Sequence, residues 1–177
     1  PAAMARMAAD PYSRADLRAH PGRVTRAGTR VTPADAPAMP VLLADAGSVI
    51  LTAPGAHHYR FVGIEIRPEA GTHLENLVLL SGGARSLDSM PHHIIFDRCY
   101  LHGDPVAGTR RGIALNTGAA AVVDSYLSDF KARGPDSQAI AGWGGTGPYR
   151  ISNNYLEGAG ENVMFGGADP RIDGLVP

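Results

Sequence analysis

The 177-residue chain is short of several residue types that would define a fold or a partner. Cys99 is the only cysteine, which excludes an internal disulfide framework and a cysteine-rich zinc site. Sixteen basic residues nearly balance seventeen acidic ones, so no broad positive field predicts nucleic acid as a partner. No apolar run approaches the roughly 20 residues that a membrane-spanning helix needs, and we expect no membrane insertion.

Glycine and proline are abundant, with 22 and 14 residues respectively. They interrupt nearly every window long enough to hold a helix. The apolar fraction is nevertheless 44%, which is enough for a packed core and too high for a disordered chain. The composition therefore predicts short strands joined by turns.

Two short apolar blocks recur in fixed order four times. The first block occupies residues 61–66, 96–101, 122–127 and 151–156, and the second occupies residues 77–82, 113–118, 140–145 and 163–167. Successive first blocks begin 35, 26 and 29 residues apart, so the blocks keep their length while the loops vary. Such units cannot bury a core alone, and the pattern predicts an all-β solenoid of stacked coils.

Alternation within the second block assigns its side chains to two faces. We expect the following residues to point inward: Leu77, Ile113, Ile140, Val163, Leu79, Leu115, Gly142 and Phe165. We expect these to point outward: Val78, Ala114, Ala141, Met164, Leu80, Asn116, Trp143 and Gly166. Phe165 is expected to fill the space left at Gly142. Cys99, Ser125 and Asn154 fall in one column at a corner, where small polar side chains can bond to backbone groups.

The ends of the chain differ from the repeats. Residues 1–30 are predicted to be an N-terminal cap or a linker, with a short helical turn that begins at Ser13 and has Asp16 in its capping box. Residues 31–177 are predicted to form the β-helix. Residues 172–176 read as a turn into another coil, so we expect either a fragment or self-association through an open C-terminal coil.

Resemblance to a known family is carried by four stretches, at residues 56–61, 91–105, 123–131 and 153–170. The chain resembles right-handed parallel β-helix proteins of the pectate-lyase-like superfamily, and most of all uncharacterised bacterial members. The resemblance implies a single-stranded right-handed parallel β-helix of about four to five coils. It also implies secretion and action on acidic or neutral polysaccharides, by analogy of fold. It assigns no catalytic residue.

Charged loops beside the second block supply candidates for chemistry. The candidate catalytic residues are Arg111, Lys131, Asp136 and Glu161, and the candidate substrate-binding residues are Trp143, Asn116 and Arg110. A carboxylate pair could act as general acid and general base, or it could hold Ca²⁺. An arginine or lysine with a depressed pKa could remove a proton beside a uronate carboxyl group. A tryptophan face suits a sugar ring. The alternative is that these are ordinary solvated charges.

Two histidine pairs, His57-His58 and His92-His93, precede the first block at the same offset. His57 is expected to stack on His92, and His58 on His93. Two imidazoles could bind a transition metal, but metal sites need three or four ligands. The later repeats have Gly118 and Gly147 at this position. We therefore expect a histidine stack without a metal.

The sequence leaves two functions open. One is a secreted carbohydrate-active enzyme, either a polysaccharide lyase or a glycoside hydrolase. The other is a non-catalytic module that binds glycan or a partner chain. The apolar residues predicted on the outer face are less polar than an enzyme groove should be, which favours the second.

Overall fold

The computed structural model describes residues 5–7, 15–18, 24–81 and 83–176. Within these ranges the chain is all-β, with two short 3-10 helices at Pro33–Ala38 and Leu87–Ser89. The strands are β1 Ala5–Met7, β2 Ala15–Arg18, β3 Val41–Ala44, β4 Ile50–Thr52, β5 His57–Val62, β6 Glu65–Pro68, β7 Leu74–Leu79, β8 His92–Asp97, β9 Tyr100–His102, β10 Thr109–Ala114, β11 Gly118–Val123, β12 Tyr126–Phe130, β13 Gln138–Gly142, β14 Gly147–Ser152, β15 Tyr155–Gly158 and β16 Glu161–Phe165. None of the described helices is long and apolar enough to cross a membrane.

The strands form three parallel sheets. The first sheet has the order β2-β5-β8-β11-β14, the second β3-β6-β9-β12-β15, and the third β1-β4-β7-β10-β13-β16. Consecutive strands belong to the three sheets in turn, and each strand pairs with the strand that lies three strands later in the sequence. This is the arrangement of a parallel β-solenoid. We call three consecutive strands, one from each sheet, a rung.

The strand register confirms the alignment of the first blocks of the sequence repeats. Phe61 lies opposite Phe96, Phe96 opposite Val122, and Val122 opposite Ile151. The unequal repeat lengths are absorbed between strands, because hydrogen-bonded pairing fixes the strands and leaves the loops free to vary.

The core runs along the inside of the three sheets and is built from columns of like residues. Phe61 and Phe96 stack with their ring centroids 4.9 Å apart, and both are fully buried. Ile113, Ile140 and Leu115 are buried as predicted, whereas Val163 and Phe165 on the last strand, also predicted to point inward, are 40% and 46% exposed. A Cβ at Gly142 would lie 2.8 Å from the Phe165 ring, which confirms that Phe165 occupies the space left there.

The predicted faces of β7 are wrong by one residue. Val78 and Leu80 were expected to point outward, yet both are fully buried core residues. The cause is the register, because Val78 lies opposite Ile113 and Leu79 lies opposite Ala114. Leu77 is buried as well, so two consecutive side chains enter the core and simple alternation fails here. Leu79 therefore takes the outward position.

The corner between the first and second sheets is held by the predicted polar column. Asn154 Oδ1 accepts from the Ser125 N–H at 2.9 Å, and Asn154 Nδ2 donates to the Val122 carbonyl at 2.7 Å. Ser125 Oγ in turn accepts from the Cys99 N–H at 3.0 Å. Each side chain therefore satisfies backbone groups of the previous rung. Burial raises the pKa of the Cys99 thiol to about 12, so Cys99 is a spacer in this column and not a nucleophile.

The helical turn predicted near Asp16 is wrong. Ala15–Arg18 is strand β2 and pairs in parallel with β5, while Ser13 lies outside the described residues. Pairing with a sheet edge satisfies the backbone more completely than an isolated turn would, and it overrides the local capping signal. Strand β1 likewise pairs with β4.

Replacing Leu115 with aspartate should destabilise the chain by about 4 kcal/mol or more, because it buries a carboxylate without a partner. Leu115 is 1% exposed. Val106 is 87% exposed, so Val106→Asp serves as the matched control and should leave stability nearly unchanged. Urea denaturation of both variants measures the difference. Equal midpoints for Leu115→Asp and the wild type would contradict the inward assignment.

Removing the Asn154 side chain should cost about 2 kcal/mol or more, because the Ser125 N–H and the Val122 carbonyl both lose their partner. Asn162→Ala provides the control, since Asn162 makes one exposed bond, to the Gly158 N–H. We expect that control to lose at most about 1 kcal/mol. Thermal denaturation distinguishes the two variants, and similar losses would show that the corner column is unimportant.

Candidate functional site

Three polar residues cross the outer face of the third sheet in one column. Arg111 lies opposite Gln138, and Gln138 lies opposite Glu161. Arg111 Nε donates to Gln138 Oε1 at 3.0 Å, and Gln138 Nε2 donates to Glu161 Oε2 at 2.8 Å. Gln138 is buried and so fixes both charged partners. The structure therefore brings together two of the predicted catalytic residues, linked through a glutamine that the sequence did not single out.

Trp143 lies beside this column. The Arg111 guanidinium carbon is 5.1 Å from the centroid of the Trp143 ring, which is the range of a cation–π contact. Burial lowers the pKa of Arg111, and the charge of neighbouring Arg110 lowers it further. An arginine starts so high on the pH scale that it remains a cation near neutrality.

Asn116 fixes the backbone at Trp143. Its Oδ1 accepts from the Trp143 N–H at 2.7 Å and from the Gly144 N–H at 3.0 Å, and the residue is buried. Asn116 was predicted to bind substrate. In the structure, the Asn116 amide oxygen holds the backbone of Trp143 and Gly144 in place.

A cavity of about 280 Å³ opens on this face. Its lining combines an indole ring, amides, a hydroxyl group and a guanidinium group, from Asn76, Leu79, Ser81, Gly83, Ala84, Asn116, Trp143, Gly144, Arg171 and Ile172. Ile172 is buried. Arg171 and Ile172 thus form one wall of the cavity, and Ile172 begins the segment that was predicted to turn into another coil.

The remaining predicted residues lie apart from the cavity. Arg110 Nε donates to the backbone carbonyl of Asp136 at 3.1 Å, and Arg110 Nη1 pairs with Glu75 at 3.2 Å. Asp136 itself is exposed. Lys131 Nζ pairs with Asp129 at 3.8 Å. The Glu161 carboxylate accepts from Gln138, whereas Asp136 takes part in the contact with Arg110 through its backbone carbonyl.

The two histidine pairs form a cluster at the start of the first sheet. His57 stacks on His92 with centroids 5.0 Å apart, and His58 stacks on His93 at 4.6 Å, which confirms the predicted stacking. Within each pair the Nδ1 atoms face each other, at 2.8 Å in His57-His58 and 2.7 Å in His92-His93. His58, His92 and His93 each place a ring nitrogen within 4.8 Å of the other two.

Backbone conformation explains why neighbouring histidines meet. His58 and His93 have φ values of 60° and 54°, in the left-handed region where a residue leaves the alternating pattern of a strand. The His57 and His58 side chains consequently converge, and so do those of His92 and His93. The sequence analysis predicted the stacking between rungs but not this convergence within each pair.

A tyrosine column on the second sheet also escaped the sequence analysis. Tyr126 and Tyr155 stack at 4.2 Å, and Tyr100 meets Tyr126 edge to face at 5.8 Å. All three occupy the same position of the first block, and that repeated position was the available signal. Tyr155 is 38% exposed.

Comparison of the chain with protein-family models, with curated proteins and with solved structures gave no match. What the chain does must therefore be argued from its own geometry.

Proposed function

We propose that the chain is a right-handed parallel β-helix of the pectate-lyase-like kind, that it belongs to a secreted protein, and that it binds a carbohydrate chain on the outer face of the third sheet. The observation that carries this proposal is the Trp143 ring, which forms part of a cavity whose other walls carry amide, hydroxyl and guanidinium groups. We call this the Trp143 cavity.

The lining suits a sugar in two ways. An indole offers a flat apolar surface to the C–H groups of a pyranose ring, and the polar rim can bond to hydroxyl groups. Asn76, Ser81 and Arg171 supply that rim. The volume of about 280 Å³ is near the lower end of the roughly 300–1,000 Å³ of small-ligand sites. The cavity is therefore proposed to take one or two rings of a longer chain.

Charge favours an acidic glycan. Arg171 lines the Trp143 cavity, and Arg111 lies against the same tryptophan ring. Guanidinium groups bind carboxylates through paired hydrogen bonds. Glu161 is the nearest acidic member of the column, and Gln138 already holds its carboxylate. A uronate-containing polysaccharide is thus the proposed substrate class.

Binding is favoured over hydrolysis. Most glycoside hydrolases need two carboxyl groups on either side of the scissile bond, about 5–9.5 Å apart. None of the described residues that line the Trp143 cavity is an aspartate or a glutamate. The cavity offers recognition groups without that acid–base pair.

One observation favours a second candidate, a polysaccharide lyase with Arg111 as the base. The pKa of Arg111 is lowered, first by burial and then by Arg110, which is the direction a proton-abstracting group needs. Because an arginine is a cation near neutrality and its Nε donates to Gln138, an Nη group of Arg111 would first have to lose a proton. Only that neutral form could take the proton beside the uronate carboxyl group.

Trp143→Ala should weaken binding to a soluble polyuronate by roughly tenfold or more, because the ring supplies most of the apolar contact. Tyr155→Ala is the matched control, since Tyr155 is an exposed aromatic residue on the second sheet. Affinity electrophoresis in gels containing polygalacturonate or alginate, with a neutral glucan as reference, measures retention. If Tyr155→Ala abolished retention and Trp143→Ala did not, the binding face would be the tyrosine column.

A polyuronate incubated with the chain, with and without Ca²⁺, should give neither unsaturated ends nor new reducing ends. Ultraviolet absorbance and a reducing-sugar assay follow the two products in parallel. Unsaturated product that disappears in Arg111→Ala and persists in Trp143→Ala would establish the lyase in place of the binding module. Reducing ends alone, lost in Glu161→Gln, would establish hydrolysis.

A further inference from the structure

We propose that the four-histidine cluster binds a divalent transition-metal ion of the copper or nickel type, with His58, His92 and His93 as ligands. The cluster lies on the first sheet and shares no residue with the Trp143 cavity. The proposal is therefore independent of glycan binding.

The number and kind of ligands are the first support. Three imidazoles offer ring nitrogens that all lie within 4.8 Å of one another. Three protein ligands are the usual complement of a metal site that retains a water molecule. Neutral imidazole prefers copper, nickel and zinc, whereas Ca²⁺ and Mg²⁺ prefer oxygen ligands.

The spacing of the nitrogens is the second support. In a square-planar complex with bonds of about 2.0–2.1 Å, neighbouring nitrogens lie about 2.9 Å apart and opposite ones about 4.1 Å apart. The Nδ1 atoms of His92 and His93 are 2.7 Å apart, and the three-histidine set lies within 4.8 Å. The spacing of the His92 and His93 nitrogens is already close to that of neighbouring ligands in a square plane, which Cu²⁺ and Ni²⁺ favour. Tetrahedral Zn²⁺ would require the facing rings to spread to roughly 3.3 Å.

Four imidazoles are packed closely at this place. His92 is flanked by His57 in the previous rung and by His93 in its own strand. An ion bound here would therefore have several ring nitrogens within reach.

The strands hold the ligands in place, and solvent can reach them. His57 and His92 are register partners in β5 and β8, so inter-rung hydrogen bonds set their separation. His58 and His93 are exposed. His93 also borders a cavity of about 270 Å³ that Ala119 and Ala121 help to line, and this cavity provides a path for the ion.

Isothermal titration of the tag-free full chain with CuCl₂ or NiCl₂ near pH 7.5 tests the proposal. We expect one ion to bind per chain, and His93→Asn to weaken binding by roughly tenfold or more, because second-shell losses alone cost 10–100-fold. Asparagine is the chosen replacement because it tolerates the left-handed backbone at this position. His73→Asn is the matched control. It removes an exposed histidine that bonds to the Ala107 carbonyl, and it should leave the affinity unchanged.

The Cu²⁺ electron paramagnetic resonance spectrum counts the bound nitrogens. A tetragonal signal with coupling to three or more nitrogens, reduced in His93→Asn, would support the site. Circular dichroism confirms that the variant is folded, so a lost signal reports on the ligand. Absence of binding to the wild type, or equal affinity in His93→Asn and the wild type, would overturn the proposal. An ion held by fewer than three nitrogens would overturn it too.

Discussion

Every feature of this chain depends on the hydrogen bonds that join one rung to the next. In each sheet a strand pairs in parallel with the strand three places along the chain, so a residue cannot shift without shifting its whole column. Equivalent side chains then recur about 4.8 Å apart. The observed stacks match that spacing, at 4.9 Å for Phe61 on Phe96 and 4.6 Å for His58 on His93. The corner column of Asn154 and Ser125 extends the same bonding to backbone groups between strands.

Stacking like on like has consequences that depend on the residue. Stacked phenylalanines in the core gain apolar contact without an electrostatic cost. Stacked histidines are tolerated while they are neutral, but each added proton repels its neighbours. Each column places equivalent side chains of successive rungs in contact. The stacked side chains can therefore do what a single residue cannot. Two neighbouring histidines in a single strand would be unremarkable, whereas two such pairs on adjacent rungs offer three nitrogens to one ion.

The sequence predicted the solenoid and the register of the first blocks because the repeats are a global signal that loop variation does not erase. It misplaced Val78 because the alignment put Leu77 opposite Ile113, whereas Val78 lies there and Leu77 lies opposite Gly112. A Cβ there would lie 2.7 Å from the Phe130 ring, so this rung has no side chain where Leu77 enters the core on the neighbouring one. A glycine opposite a leucine is visible in the sequence, but the broken alternation that it signals depends on packing from another sheet.

The predicted residues of the candidate site also fall into two groups, those in strands and those in loops. Arg111 and Glu161 were predicted to lie in loops, but both lie in strands, and they are linked through Gln138 because all three occupy paired positions. Lys131 and Asp136 lie between β12 and β13, and no repeat fixes where such residues point. The histidine convergence was missed for a third reason. His58 and His93 have positive φ values. Histidine can adopt this backbone conformation but does not require it, so the residue type alone does not predict it.

The two proposed sites should therefore differ in how firmly they are built. The Trp143 cavity takes one wall from residues 171–172 and another from Ser81, Gly83 and Ala84, none of which belongs to a strand. Segments without sheet pairing open at lower free-energy cost than strands do, so the proposed glycan site would adjust to its ligand more easily than a site built on strands. The histidine cluster is held by β5 and β8 themselves. Rigid strands allow only small movements of the imidazoles, so an ion must fit the spacing that the rungs already impose. That rigidity is why geometry, and not affinity alone, should select the metal.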